Sequence, residues 1–544
     1  MLLSQTVFDP PGETNYLYSF LDELASLKII SINTAVKPYS RQNIGTYLDT
    51  ALGHIHQLNP RQQKDLEFFR RAFQADLQGK REDRFILPLS SSGNADQHLT
   101  YLSWDPPALV YSDTFLRFVL RPVLGGEIYA GAGKKLIDRK WGLAMHAYMG
   151  KHWALYASLI DNSLTDLLSK PTYLNTFPGG NYKLHNSGGD YSEMRGGMTY
   201  SWKWGYIGLV KDHFTWGNSA GRSIILSDRA PSFPQFRLCL KPAFWLELNY
   251  FHASLVSEIV DSTRSYYTPQ GTYRSVFRNK FMAANFITLT PWKTFAFSFG
   301  NSIIYSDIDI QHVFFIPVLF FKSVDHTINH TIENENSQMF LDVSYRPLKH
   351  LHIYGSLFLD ELKVSRIFNP DEHNFTAAKI GLQLSNWPLE NLIVTSEFTH
   401  VNPIVYQHRV PSLTYASNKY NLGFYLGDNS REWYNEVTFK PVSKLIISAS
   451  FTYAIKGNVY NYTNGNEAVL YPIMKDITWK NSQIHLAARY FPLTSLQFTM
   501  NLYYNNITTY NVDEKSADYY NSLFTPEFFR KNRWVLSGGF LIGF

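Results

Sequence analysis

The stretch "RPLKHLHIYGSLFLDE", residues 346–361, decides the fold. Pro347 fixes one backbone angle and offers no donor, which suits a tight turn at a strand junction. Past it the period is two. Leu351, Ile353, Leu357 and Leu359 point one way, and His352, Tyr354, Ser356 and Phe358 point the other. That alternation is a β-strand with one apolar and one mixed face. A soluble sheet alternates too, so the strand alone does not decide between water and a membrane.

Its neighbours decide. "MFLDVSYR" and "AKIGLQLS" alternate in the same way, and such segments run to the C-terminus with no helical pattern between them. The proline turn recurs in "KPAFWL", "TPWKTF", "WPLENL", "KPVSKL" and "FPLTSL", placing Pro242, Pro291, Pro347, Pro388, Pro441 and Pro492 at spacings of 49, 56, 41, 53 and 51 residues. Each spacing holds two strands of about ten residues and one long loop, the short-turn, long-loop asymmetry of outer-membrane barrels. Two more short turns lie at "GKHW" (150–153) and "WKWG" (202–205). Eight short turns, with both termini on their side, predict nine hairpins and so about 18 strands in a closed antiparallel transmembrane barrel. The last segment, "NRWVLSGGFLIGF", reads as a closing strand ending in Phe544. Trp202, Trp204, Trp245, Trp292 and Trp387 beside the short turns are expected in an interfacial girdle.

Composition agrees. Charged residues are 17% of the chain and aromatics 16%, against about 25% charged in soluble domains. A net charge of +5 without a basic block gives no reason to expect nucleic acid as a partner. No apolar run is long enough for a transmembrane helix, but a closed barrel is the other way to span a bilayer. The single cysteine, Cys239, allows no intrachain disulfide and reads as packing on a strand.

Before the barrel the period is helical. Leu17, Phe20, Leu24 and Leu27 form one stripe, and Ile44, Leu48, Leu52 and Ile55 a second. Asn59, Pro60 and Gln62 predict an N-cap and capping box for a third helix, with Leu66, Phe69, Phe73 and Leu77 on its apolar face. The expected organisation is a signal-peptide remnant or irregular start over 1–13, a periplasmic helical bundle with its linker over 14–97, and the barrel over 98–544.

No catalytic set assembles. His54 and His56 stand two apart on a helix, on roughly opposite faces, and do not make a metal site. Asp360 and Glu361 are adjacent on a strand and point apart. Gly131 and Gly133 read as a hairpin tip, and neither a G-x-S-x-G nor an H-E-x-x-H motif occurs. No catalytic residue, metal or cofactor is therefore expected. The expected long loops 262–275, 460–476 and 503–522 are rich in Tyr, Asn, Asp and Thr, which suits saccharide contact by ring faces and side-chain hydrogen bonds. The apolar "FFIPVLFF" (314–321) reads either as a docking surface or as a segment folded into the lumen.

One loop is denser than the rest. "LVKDHFTWGNSAGRSIILSDRAPSFPQFRLCLKP" (209–242) leaves a strand at Asp212 and His213 and returns through "FRLCL". Its glycines and prolines specify a compact path, expected to fold into the lumen. Trp216, Arg222, Asp228 and Arg229 are its candidate ligand-binding residues.

The same loop carries a resemblance. Asp212, Trp216, Gly217, Gly221, Leu226, Ser227, Ala230, Pro231, Phe233 and Pro234 resemble the most recognisable segment of the Wzi-type capsule assembly family. "RPVLGGEIYAG" (121–131), "YGSLFLDELK" (354–363), "EFTHVNPIVYQH" (397–408) and "NLGFYLGDNS" (421–430) are similar to other pieces of it, and "YSFLDELASLKII...KPYSRQNIGTYL" to the helical entry segment of Bacteroidetes-type members. The resemblance implies an 18-stranded outer-membrane barrel, a periplasmic bundle at its lower mouth and a non-enzymatic role in holding capsular polysaccharide. It transfers no catalytic residues. Lipid, surface polysaccharide and other outer-membrane proteins are the expected partners; the alternatives are a solute or saccharide channel and a subunit of a larger assembly.

Overall fold

The computed structural model describes residues 6–8, 16–73, 86–91, 99–105, 107–186, 188–328, 334–361, 374–462 and 471–543. Eighteen long strands close into one antiparallel barrel. In chain order they are β1 (Leu116–Gly131), β2 (Lys134–Met149), β3 (Trp153–Leu164), β4 (Gly188–Trp202), β5 (Gly205–Asp212) and β6 (Phe233–Ala243). Next come β7 (Leu246–Val260), β8 (Phe277–Trp292), β9 (Phe295–Tyr305), β10 (Glu335–Tyr345), β11 (Leu351–Glu361) and β12 (Phe375–Ser385). The set ends with β13 (Leu392–Val401), β14 (Ser430–Phe439), β15 (Leu445–Gly457), β16 (Ile477–Leu493), β17 (Leu496–Thr509) and β18 (Trp534–Ile542). Consecutive strands pair, and β18 closes on β1 from Leu536↔Ala130 to Ile542↔Leu124. All eight short turns lie where the sequence places them, so the strand number and the two-ended asymmetry stand. Phe544 lies outside the described residues.

The alternation sorts inside from outside as expected. His352, Tyr354, Ser356 and Phe358 are buried in the lumen, while Leu341, Ile380 and Leu382 are exposed on the outer wall. Trp204, Trp245, Trp292 and Trp387 are exposed beside the short turns, and Trp202 is half-buried there.

Three helices precede the barrel: α1 (Tyr16–Ser26), α2 (Arg41–Gly53) and α3 (Pro60–Ala72). The capping box forms, with Asn59 accepting from the Gln62 amide and Gln62 accepting from the Asn59 amide. The second stripe is shorter than predicted. Ile44 and Leu48 are buried with Ala51, whereas Leu52 and Ile55 are exposed, because α2 stops at Gly53 and its last turn reaches past the bundle. Leu77 lies outside the described residues. The expected linker does too from 92 to 98; just before it, Ile86–Ser91 forms a strand. This strand, Leu99–Trp104 and Pro107–Ser112 make a three-stranded meander that extends the sheet along the lower part of β1, where Leu109 pairs with Leu120. The alternation over 99–112 is too short to separate this extension from the barrel proper.

The helices dock on the short-turn end. Lys440 Nζ, at the β14–β15 turn, lies 3.0 Å from Glu23, Arg61 pairs with both Glu23 and Asp65, and Asn386 donates to Glu23 at 2.9 Å. The Lys444 amide donates to the Tyr16 hydroxyl at 2.8 Å. Burial alone would raise the Glu23 carboxyl, but Lys440 and Arg61 outweigh it and hold it down at about 2. A buried carboxylate is tolerable only when its lone pairs and charge are answered in this way.

Of the two readings of the apolar stretch 314–321, the structure overturns the one that folds it into the lumen. The stretch lies against the outer wall. Phe314 and Phe321 are buried there with Tyr250, Phe281, Ile303 and Tyr305, all on the faces of β7–β9 opposite the lumen. Tyr250, Asn285 and Asn301 supply hydrogen bonds that its backbone would otherwise lack.

Candidate functional site

The lumen is closed by two segments that meet inside it. From the long-loop end, residues 213–232 fold inward: Trp216, Ile224, Ile225, Leu226 and Ala230 are all buried. From the other end, Val36–Lys37 rises between α1 and α2 and pairs with Thr215–Trp216 as a two-stranded ribbon. The Gly217 amide completes it by donating to the Ala35 carbonyl at 2.8 Å. Gly217 has φ of +95°, which a side-chain-bearing residue would rarely adopt.

The inner wall fixes this plug with both packing and charge. The Trp216 ring lies 5.0 Å from Phe251, 5.3 Å from Phe286 and 6.0 Å from Phe340. The Asn218 amide donates to Asp342 at 2.8 Å and the Ala220 amide to Glu397 at 2.7 Å. Glu397 is itself paired with Lys379 at 3.0 Å. A second infolded loop, 402–429, supports the first: the Tyr406 and Tyr415 hydroxyls donate to the Ile224 and Ile225 carbonyls, each at 2.8 Å.

The four candidate residues do not converge. Trp216 is the centre of the packed plug. Arg229 ties the loop to residues 170–179, donating to the Lys170 carbonyl at 2.9 Å while its own carbonyl accepts from the Gly179 amide. Burial pushes its guanidinium down to about 10. Asp228 is exposed. Arg222 alone of the four borders a cavity, of about 180 Å³, in the long-loop half of the lumen. Its guanidinium lies 3.8 Å over the Tyr434 ring and 3.8 Å from Glu432. Burial works against its charge, but Glu432 and the neighbouring tyrosines outweigh it and raise its pKa.

The rest of that cavity comes from strands the sequence reading left unassigned. Trp479, Asn481, Gln483 and His485 project inward from β16 at alternate positions, and Tyr503, Asn505 and Ile507 from β17. Phe177, and Phe524 and Phe529 from helices α4 (Ala517–Phe524) and α5 (Glu527–Lys531), cover it. His485 stacks on Tyr503 with centroids 4.3 Å apart. Gln483 donates to Asn505 at 2.7 Å. That leaves Asn481 Oδ1 and Asn505 Nδ2 buried without partners among the described residues, a free acceptor and a free donor on one cavity. Aromatic faces flanked by side-chain amides suit a ligand with hydroxyl groups and C–H surfaces.

The expected 503–522 loop is therefore corrected: β17 runs to Thr509, which puts Tyr503 and Asn505 in the wall, and α4 takes up 517–524. The alternation Trp479, Asn481, Gln483, His485 was the available signal, a strand face too polar for lipid and too aromatic for a plain water-filled pore. Of the other two stretches, 262–275 forms an exposed hairpin around Tyr266–Tyr267 and Tyr273–Arg274, and 463–470 lies outside the described residues. A second cavity of about 320 Å³ follows the inner face of β1–β5, from Phe69 and Phe491 at the short-turn end to Glu193 and His213 near the long loops.

No protein-family model matches this sequence, and no curated protein sequence does. Solved structures do. Wzi of Escherichia coli, an outer-membrane carbohydrate-binding β-barrel involved in group 1 capsule assembly, aligns with 99% of this chain and 100% of its own at a TM-score of 0.58 and 12% identity. OprD of Pseudomonas aeruginosa aligns with 78% of this chain and 92% of its own at 0.40 and 12%. OccAB3 of Acinetobacter baumannii aligns with 78% and 99% at 0.41 and 10%. At these identities the likeness to Wzi establishes the fold, a barrel of the outer-membrane type.

Proposed function

We propose that this protein is a non-enzymatic barrel of the bacterial outer membrane that binds or organises capsular or other exopolysaccharide at the cell surface. In this reading the helices sit on the periplasmic side and the long loops face outward. The observation that carries it is the amide- and aromatic-lined cavity around Arg222, Asn481 and Asn505, in the half of the lumen nearest the long loops. Sugar hydroxyls satisfy the orphaned amide atoms, and the rings of Trp479 and Tyr503 offer faces to pyranose C–H groups. The full-length structural likeness to carbohydrate-binding Wzi, and the sequence resemblance around Trp216, support the same reading.

Deleting the gene tests it. Surface-retained polymer falls while the sum of cell-bound and released polymer stays level; unchanged retention contradicts the proposal. A passage for small solutes is the second reading, favoured by the cavity along β1–β5. The ribbon between Val36–Lys37 and Thr215–Trp216 stands against a polymer-sized pore. A stable open conductance in planar bilayers would favour the passage, and its absence the binding barrel.

A further inference from the structure

The outer wall of β7–β9 breaks the rule that a membrane-facing surface is apolar. Tyr250, Asn285 and Asn301 stand opposite one another across three strands, in the registers Tyr250↔Asn285 and Asn285↔Asn301. The neighbouring register Phe251↔Ala284 belongs to the buried luminal cluster, so this polar row points out of the barrel. Asn285 lies midway along β8 and Asn301 midway along β9, at the depth where a bilayer holds no water.

Each member of the row answers a backbone group of the covering loop. Tyr250 donates to the Phe314 carbonyl at 2.6 Å, Asn285 donates to the Leu319 carbonyl at 2.9 Å, and Asn301 Oδ1 accepts from the Phe321 amide at 2.9 Å. Asn301 Nδ2 also donates to Asn285 Oδ1 at 2.9 Å. Irregular backbone survives at membrane depth only where protein groups satisfy it. The loop's other side is apolar: Ile316, Val318 and Phe320 are 47%, 64% and 44% exposed. It is continuous with exposed Phe299 and Leu341, a register pair on the adjoining wall.

We infer that residues 314–321 form a membrane-embedded flap, pinned by the polar row of β7–β9, whose Ile316, Val318 and Phe320 side chains contact lipid acyl chains. The inference rests on the proposal that the barrel spans a bilayer, and the controls separate the two. The full chain carrying Cys239→Ser, with a single cysteine at Val318, is labelled with an environment-sensitive fluorophore and reconstituted in phosphatidylcholine vesicles. Cysteines replacing Phe299, on the bare wall, and Thr272, on an exposed loop, serve as references; heat-modifiability on gels confirms folding. The flap requires blue-shifted emission at position 318, loss of most of it to doxyl-labelled lipid as at position 299, and little loss to iodide. In the Asn285→Leu, Asn301→Leu background the same probe turns iodide-sensitive. Iodide quenching at position 318 equal to that at 272, with 299 still quenched by lipid, overturns the flap alone. Neither quencher reaching position 318 while 299 is quenched by lipid also overturns it, because protein then covers the patch. Lipid quenching at neither 299 nor 318 overturns the membrane reading beneath it.

Discussion

Trp216 and Arg222 stand six residues apart on one infolded loop, yet they meet two differently filled halves of the same lumen. Around Trp216 the wall supplies Phe251, Phe286 and Phe340, and rings fill the space. Around Arg222 the wall supplies Trp479, Asn481, Gln483 and Asn505, and a cavity remains. Aromatics occur in both. The difference is what alternates with them on the facing strands: alanine, methionine and phenylalanine on β7–β8, but amides on β16–β17. Where small and large apolar groups interdigitate, aromatic rings become core. Where amides crowd one another, their fan of donors and acceptors cannot all be met internally, and the site is left able to take a ligand.

The largest effect should come from the packed half. Trp216→Ala should lower unfolding stability by about 3–5 kcal/mol, the usual loss for a buried large aromatic, read by urea unfolding in lipid vesicles. A loss no larger than that of an exposed substitution would mean that the plug is not packed against the wall.

The lower closure is held by charge and should answer to pH. Glu23 has a folded pKa depressed to about 2 from an ordinary 4.5. Its contribution, about 3 kcal/mol by linkage, is fully present above pH 4.5 and disappears as pH falls toward 2. Pepsin cleavage within α1–α3 should therefore rise across that window and be flat above it, while Glu23→Gln should remove the dependence.

In the open half, Asn505→Ala removes one cavity donor and the acceptor used by Gln483. It should weaken saccharide binding roughly tenfold, the scale of one or two hydrogen bonds, with unfolding stability changed far less than by Trp216→Ala. The smallest effect belongs to Asp228→Ala. Its exposed carboxylate should change stability by less than about 0.5 kcal/mol and leave saccharide affinity unaltered.

The barrel was legible in the sequence because closure in a bilayer imposes a period of two and a turn rhythm that prolines mark. The capping box at Asn59 was legible for the same local reason. The site was legible only in part. Arg222 was found through its loop, but its partners lie more than 200 residues away on β14, β16 and β17, brought near only by barrel closure. Asp228 lies exposed and apart from that cavity, because a charge in a compact loop can point either way and nothing local fixes which. The flap escaped since Asn285 and Asn301 look like ordinary lumen residues until the register assigns them to the outer face.

Direct binding tests the saccharide-binding barrel most sharply. Purified protein in detergent is applied to an array of bacterial surface polysaccharides, wild type beside Asn505→Ala and Asp228→Ala. The expected result is selective retention of one or a few polymers by the wild type and Asp228→Ala, with Asn505→Ala markedly weaker on the same spots. Retention of none, or equal retention by all three proteins, would contradict it.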